Sequence, residues 1–210
     1  MNKPLALKLA PSTLDEVIGQ THLIGKDKIL TNLVKNKKLF SMILYGKPGI
    51  GKTSIANAMV KDLDVRYRFL NATINTKKDL DIVIEEAKVY DGIVLIMDEI
   101  HRLNKDKQDV LLPALESGLI TLIGMTTSNP YHAINPAIRS RCQLFELEEL
   151  TNNDIKEALI KATNYLKDIK ISDDALEYIA NLAGGDLRYA YNTLEIAYYS
   201  SNDFNITVEE

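Results

Sequence analysis

Eight consecutive residues, Gly46-Lys-Pro-Gly-Ile-Gly51-Lys52-Thr53, set one glycine, four further residues and then Gly-Lys-Thr in a single run. Glycines let main-chain N–H groups converge on a phosphate, and a helix starting at the end of the run points its positive pole there. In that pattern Lys52 reaches the β- and γ-phosphates and the Thr53 hydroxyl holds magnesium. Gly46, Pro48, Gly49, Ile50, Gly51 and Ser54 complete the expected nucleotide-binding loop. Forty-six residues after Lys52, the apolar run Ile93-Val-Leu-Ile-Met97 leads straight into Asp98-Glu99. Magnesium prefers oxygen ligands and keeps several waters, so one carboxylate at the end of a strand is enough to orient it, and Asp98 is the candidate. Glu99 is then placed to polarise the water that attacks the γ-phosphate. A chain carrying both elements is expected to be a nucleoside triphosphatase.

Positioning these groups requires a strand before the glycine run and a helix after it. Ser41-Met-Ile-Leu-Tyr45 is a short apolar run ending at glycine, as a buried strand would be, and Ile55, Ala56, Met59, Val60 and Leu63 recur at helical spacing. The same alternation continues with a strand over residues 66–73 and a helix carrying Leu80, Val83, Ile84 and Ala87. It resumes with the strand over residues 93–97, then a helix with Val110, Leu111, Ala114 and Leu115. Two further strands are expected over residues 119–125 and 142–147. Repeated strand–helix alternation predicts an α/β fold with a parallel sheet covered by helices on both faces. After residue 150 the period becomes helical throughout. Thr151 with Asp154 forms a capping pattern, Ser172 or Asp173 opens a second helix that stops at Gly184-Gly185, and Asp186 opens a third. These patterns predict two parts, residues 1–149 as the nucleotide-binding core and 150–210 as a small helical subdomain. Thr207-Val-Glu-Glu210 reads as the start of another helix, so the sequence is expected to continue in a longer protein.

Composition excludes several other classes. With 46% apolar and 26% charged residues among 210, the chain is neither disordered nor fibrous, and no apolar run reaches the eighteen residues of a membrane span. The single cysteine, Cys142, rules out an internal disulfide and is expected to be a small buried hydrophobe. His22, His101 and His132 share no spacing that suggests a metal site. Tyr189, Tyr191, Tyr198 and Tyr199 are expected to pack rather than stack on bases. The net charge of −4 hides a gradient. Residues 1–50 carry eight lysines against three acids, residues 51–142 balance, and residues 143–210 carry fourteen acids against five bases. The acidic block is expected to face basic surface on its own or a neighbouring core.

Further motifs carry a family resemblance. Pro11-Ser-Thr-Leu-Asp-Glu-Val-Ile-Gly-Gln20, His22-Leu-Ile-Gly25, Gly124-Met-Thr-Thr-Ser-Asn-Pro130, Asn135-Pro-Ala-Ile-Arg-Ser-Arg141 and Gly185-Asp-Leu-Arg-Tyr-Ala190 stand with the glycine run. Together they resemble the AAA+ ATPases, specifically the replication-associated recombination protein A group, related to the Werner-helicase-interacting protein of eukaryotes. The resemblance covers essentially the whole chain. It implies a P-loop AAA+ core followed by a small all-α lid, with the backbone of Val17, Ile18 and Gly19 against adenine. It implies a first sensor of the γ-phosphate at Asn129 or Thr127, with the count back from Ser140-Arg141 favouring Asn129. Arg141, with Arg139 as the alternative, resembles the arginine that a neighbouring subunit inserts into the site. Arg188 resembles a second sensor in the lid. In function the resemblance implies ATP and Mg2+, DNA-dependent hydrolysis at stalled or gapped replication forks, and DNA ends or single-strand/double-strand junctions as partners. It also implies single-stranded DNA-binding protein or other replication proteins as partners, homo-oligomers of the full-length protein, a cytoplasmic, nucleoid-associated location and no membrane. The nearest alternatives are a clamp-loader or Holliday-junction motor subunit and a non-hydrolysing nucleotide-binding scaffold; Glu99 and Arg141 argue against the scaffold. One departure stands out, Ala10 before Pro11 where the family usually carries arginine; the family's C-terminal oligomerisation domain is expected in the longer protein, beyond residue 210.

Overall fold

A computed structural model describes residues 3–208. Five strands, β1 (Met42–Tyr45), β2 (Tyr67–Asn71), β3 (Ile93–Asp98), β4 (Ile120–Thr126) and β5 (Gln143–Glu146), form one sheet in the order β2-β3-β4-β1-β5. Every pairing in it is parallel. Strand side chains alternate between faces, and here both faces are apolar. Ile43, Leu95, Met97 and Leu122 pack on one side with Leu80, Val83 and Leu111 of helices α4 (Lys77–Tyr90) and α5 (Lys105–Glu116). Met42, Leu44, Val94, Ile96, Ile123 and Met125 pack on the other with Leu30 of α2 (Ile29–Lys35) and with Ile55 and Met59 of α3 (Lys52–Asp62). The continuous apolar run of β3 follows from this double burial, since neither face meets water.

The expected strands and the helices between them all form, with ends shifted by one or two residues. Several elements were not expected. A four-residue helix α1 (Leu5–Lys8) and α2 precede the sheet, and α6 (Pro130–Ala133) and α7 (Pro136–Arg139) fold between β4 and β5. Each of the latter two starts with proline behind an asparagine cap, a strong local start signal in a segment too short to show helical periodicity.

Beyond Glu149 lie α8 (Asn152–Thr163), α9 (Asp173–Ala183) and α10 (Leu187–Ser200). Thr151 and Asp154 make a full capping box, Ser172 caps α9, Gly184 takes the left-handed conformation at its end, and Asp186 caps α10. Ile155, Leu159, Leu176, Ile179, Ala190 and Leu194 form their core. Two features correct the expectation of helices alone built only from residues after 150. A two-residue ladder pairs Lys170–Ile171 with Asn205–Ile206, strands β6 and β7, too short for any alternation to reveal. Leu5 of α1 also joins this cluster, with its N–H donated to Glu195 of α10 at 3.0 Å. Glu209 and Glu210, part of the expected final helix start, lie outside the described residues. Of the four tyrosines expected to pack, Tyr191 and Tyr198 are buried, whereas Tyr189 and Tyr199 are exposed, because α10 turns one flank to solvent. The acidic block meets basic surface of its own core less than expected: Lys47 pairs with Glu149 at 2.5 Å at the junction, while Lys156 is satisfied within the lid by Asp173. Among the described residues no helix is long and apolar enough to cross a membrane.

Leu95 is fully buried at the centre of β3. Leu95→Ala is expected to lower unfolding free energy by about 2–5 kcal/mol in urea titrations. Burial pushes the Cys142 thiol up to about 11, so it stays protonated at neutral pH. Its alkylation by iodoacetamide is expected to be far slower in native than in urea-unfolded protein.

Candidate functional site

In open parallel sheets the ligand crevice lies beyond the C-terminal ends of the strands. Three such ends meet here: β1 runs into the glycine loop, β3 into Asp98-Glu99, and β4 into Thr127. A cleft of about 610 Å³ opens above them, lined by Gly49, Lys52, Thr53, Asp98, Glu99 and Thr127 among others. Val17 and Ile18 line another wall, and Leu187, Arg188 and Tyr191 bring the lid over it.

The glycine loop keeps its shape through backbone that other residues adopt poorly. Gly46, Gly49 and Gly51 have φ of 143°, 73° and 110°. A Cβ on Gly46 would stand 2.7 Å from Ile50 Cδ1 and 2.8 Å from the Leu147 carbonyl oxygen, and one on Gly49 would stand 2.0 Å from Asp186 Oδ1. The loop carbonyls are already engaged. Lys52 Nζ donates to the oxygens of Gly46 at 2.7 Å and Lys47 at 2.6 Å. The Gly49 oxygen accepts the Leu187 N–H of the lid at 3.0 Å, and the Ile50 oxygen accepts Gln20 Nε2 at 3.1 Å. The N–H groups of Gly49 and Gly51 have no protein acceptor among the described residues. A loop with most of its acceptors engaged and the Gly49 and Gly51 N–H groups left without a protein acceptor, at the start of α3, is built for an anion.

Lys52 is buried, and desolvation pushes its ammonium below the ordinary lysine value, against the opposing pull of Asp98 and Glu99. Arg188 adds to the lowering, which places its guanidinium close enough to act on the same site. Asp98 Oδ1 accepts the Glu99 N–H at 2.9 Å. Glu99 itself sits at φ 52°, ψ 38°, a left-handed conformation that a non-glycine residue takes only when its surroundings impose it. Thr53 and Asp98 together present a hydroxyl and a carboxylate to one cleft, an oxygen donor set that fits magnesium.

The structure separates the two candidates for each remaining role. Thr127 lines the cleft. Asn129 lies outside that lining; its side-chain oxygen caps α6 by accepting the Tyr131 N–H at 2.9 Å. Of the two, then, Thr127 stands in the cleft, while the asparagine serves the short helix that the sequence did not reveal. Arg139 Nη1 is spent on carbonyls of α6, 2.7 Å from Tyr131 and 3.3 Å from Pro130. Arg141 donates to the Ala137 oxygen at 2.6 Å and pairs with Glu116, away from its own cleft. Gly19, at φ 68°, packs against Leu150, where a Cβ would stand 2.5 Å from Cδ2.

One residue has a part that its position in the Val-Ile-Gly-Gln motif did not disclose. Gln20 is buried and ties three segments together, donating to Ile50 and to Glu148 at 2.8 Å and accepting the Glu148 N–H at 3.0 Å. Lys161 and Tyr165 of the lid, and Leu7 and Lys8 of α1, also line the cleft and were not foreseen.

Residues 9–138 match the family described as the Holliday junction DNA helicase RuvB P-loop domain. The replication-associated recombination protein A of Bacillus subtilis is 53% identical over 207 residues, covering 96% of this chain and 49% of that protein. The chain belongs to the RuvB-type P-loop AAA+ ATPases, in the replication-associated recombination protein A group. The ATPase WRNIP1 of Dictyostelium discoideum is 41% identical over 204 residues, which cover 92% of this chain and 23% of that protein. The solved structure of the Thermotoga maritima RuvB Holliday junction branch migration motor superposes with a TM-score of 0.76 at 31% identity, over 91% of this chain and 65% of the other. The AAA+ module described here thus spans about half the length of the Bacillus relative, and the family it belongs to is one of ATP-hydrolysing enzymes.

Gln20→Leu keeps the volume but strands the Ile50 oxygen and both Glu148 backbone groups. It is expected to cost about 1–3 kcal/mol in denaturant titrations and to weaken nucleotide binding, measured by fluorescent ATP analogue titration.

Proposed function

We propose that this module binds ATP with Mg2+ and hydrolyses it, coupling the cycle to remodelling of DNA at stalled or gapped replication forks. The convergence of Lys52, Thr53, Asp98, Glu99 and Thr127 on one cleft, under Arg188 of the lid, carries this reading. The loop amides and Lys52 hold the phosphates, and Gly46, Pro48, Gly49, Ile50, Gly51 and Ser54 shape the cradle. Val17, Ile18 and Gly19 form the side expected to meet adenine. Thr53 and Asp98 hold the magnesium, which when bound offsets charge on the β- and γ-phosphate oxygens. Glu99 takes the proton from the attacking water as its oxygen bonds to phosphorus and the bond to the bridging oxygen breaks. Thr127 orients that water or the γ-phosphate, the role that the resemblance left between Asn129 and Thr127. Arg188 links γ-phosphate loss to the lid, and Arg141 acts in the site of a neighbouring copy.

In this reading residues 1–149 are the nucleotide-binding core and 150–210 the lid, with α1 crossing over to stiffen the lid. The protein works in homo-oligomers in the cytoplasm, at the nucleoid, on DNA forks, ends or single-strand/double-strand junctions, alongside single-stranded DNA-binding protein or other replication proteins. The likeness to RuvB favours a second reading, a branch-migration motor; the higher identity to the Bacillus relative places it second. Comparing ATPase stimulation by forked, gapped and four-way DNA separates the two.

Glu99→Gln is expected to lower kcat at least about 100-fold while ATP still binds, measured by phosphate release and analogue titration. A rate equal to the parent's would refute the assigned chemistry. Arg141→Ala is expected to be inactive alone, yet to regain turnover when mixed with a Glu99→Gln chain, because mixed neighbours restore some complete sites.

A further inference from the structure

Thr126, the last residue of β4, is fully buried, and its side chain serves a purpose beyond packing. Its Oγ1 accepts the Ser128 N–H at 3.0 Å and lies 2.9 Å from His101 Nδ1. Its carbonyl oxygen accepts the N–H of Gly46, the first residue of the phosphate loop, at 3.3 Å. His101 stands on the turn Ile100–Arg102 after β3, largely buried, with Nε2 3.4 Å from Glu99 Oε2.

The hydrogen-bond inventory fixes the direction of this chain. A buried hydroxyl needs an acceptor for its proton, and His101 Nδ1 is in place to be one. Nδ1 is then the lone-pair nitrogen, and the ring carries its proton on Nε2, whose nearest carboxylate oxygen is Glu99 Oε2 at 3.4 Å, a close contact that a small ring rotation turns into a hydrogen bond. The opposite tautomer would turn a lone pair toward a carboxylate. The network therefore runs from the Thr126 hydroxyl into His101 and from His101 Nε2–H toward Glu99.

We propose that His101 is a positioning residue that holds Glu99 in register with Thr126, and through it with the phosphate loop and with Thr127 in the cleft. The proposal rests on the reading of Glu99 as the group that activates water. Glu99 leaves β3 in a left-handed turn, so its side-chain direction is not set by the strand. The imidazole supplies the missing constraint from the neighbouring strand end. Nothing here depends on His101 changing charge; a neutral ring performs the task.

The two nitrogens allow the two halves to be tested apart in the full chain. His101→Asn places an amide near the Nδ1 position, keeping the contact to Thr126 and losing reach to Glu99. His101→Gln places its amide near the Nε2 position, within reach of Glu99. Steady-state ATPase kinetics are expected to show kcat of His101→Asn lowered about 10–100-fold with KM unchanged. His101→Gln is expected to recover most of that loss. Thr126→Val is expected to lower kcat in the same way, and the double variant with His101→Asn to lose little more than the worse single one. Affinity for a non-hydrolysable ATP analogue and the melting temperature are measured on each, to separate positioning from folding. Parent-like kcat in His101→Asn, a Gln variant as slow as the Asn variant, or analogue affinity falling in step with kcat would each overturn the proposal. Glu99→Gln run alongside distinguishes the failures: if it hydrolyses at the parent rate, the role of Glu99 is wrong, whereas if it is inactive and His101→Asn is not, only the positioning role fails.

Discussion

A phosphate-binding loop must offer its N–H groups outward, and it can do so only if its carbonyl oxygens are satisfied elsewhere. In this chain the engaged carbonyls go to three different parts of the molecule. The oxygens of Gly46 and Lys47 hold Lys52, that of Gly49 holds the first residue of α10, and that of Ile50 holds Gln20 of the N-terminal segment. The loop is therefore the point at which the core, the lid and the chain's beginning are joined. A buried backbone acceptor left empty costs as much as a lost hydrogen bond, so none of these attachments can be dropped without disturbing the others.

That arrangement ties the start of α10 directly to the loop. Asp186 caps α10 with the same carboxylate that leaves no room for a side chain on Gly49. Leu187 donates to the loop, and Arg188, one residue further, lines the cleft. Three consecutive residues thus fasten the start of α10, brace it and aim a cation at the phosphates. Further along the same helix Glu195 holds Leu5, so α1 rides with the lid although it opens the chain. A shift of α10 on loss of phosphate would carry α1 with it, and Leu7 and Lys8 of α1 line the nucleotide cleft.

The central strands β1, β3 and β4 were legible in the sequence because they are buried on both faces and leave short continuous apolar runs bounded by turn residues. Ile93-Val-Leu-Ile-Met97 gave away both the strand and the place where the carboxylates emerge. The three lid helices were legible because Thr151, Ser172 and Asp186 write their starts into the local sequence. What remained hidden depends on distant partners or on very short elements. Gln20 reaches across 128 positions to Glu148, which no local pattern encodes. The β6–β7 ladder has two residues a side, a single period of alternation and so no repeat to recognise. The choice between Asn129 and Thr127 turned on α6, a four-residue helix that takes the asparagine as its cap.

The same geometry distinguishes the two arginines that close the core. Arg139 donates to carbonyls of α6 and lies 5.5 Å from the Tyr131 ring, so withdrawing it would break several contacts at once. Arg141 is held by one carbonyl, the neighbouring Ser140 hydroxyl and Glu116, the last in a pair that is one-third exposed on the arginine side and half exposed on the other. Exposed pairs contribute only about 0–1 kcal/mol, so the Arg141 guanidinium can leave Glu116 at little cost. A residue that must reach a phosphate on another copy has to be charged, accessible and cheaply released. Arg141 meets all three conditions, and Arg139, tied into its own backbone, meets only the first.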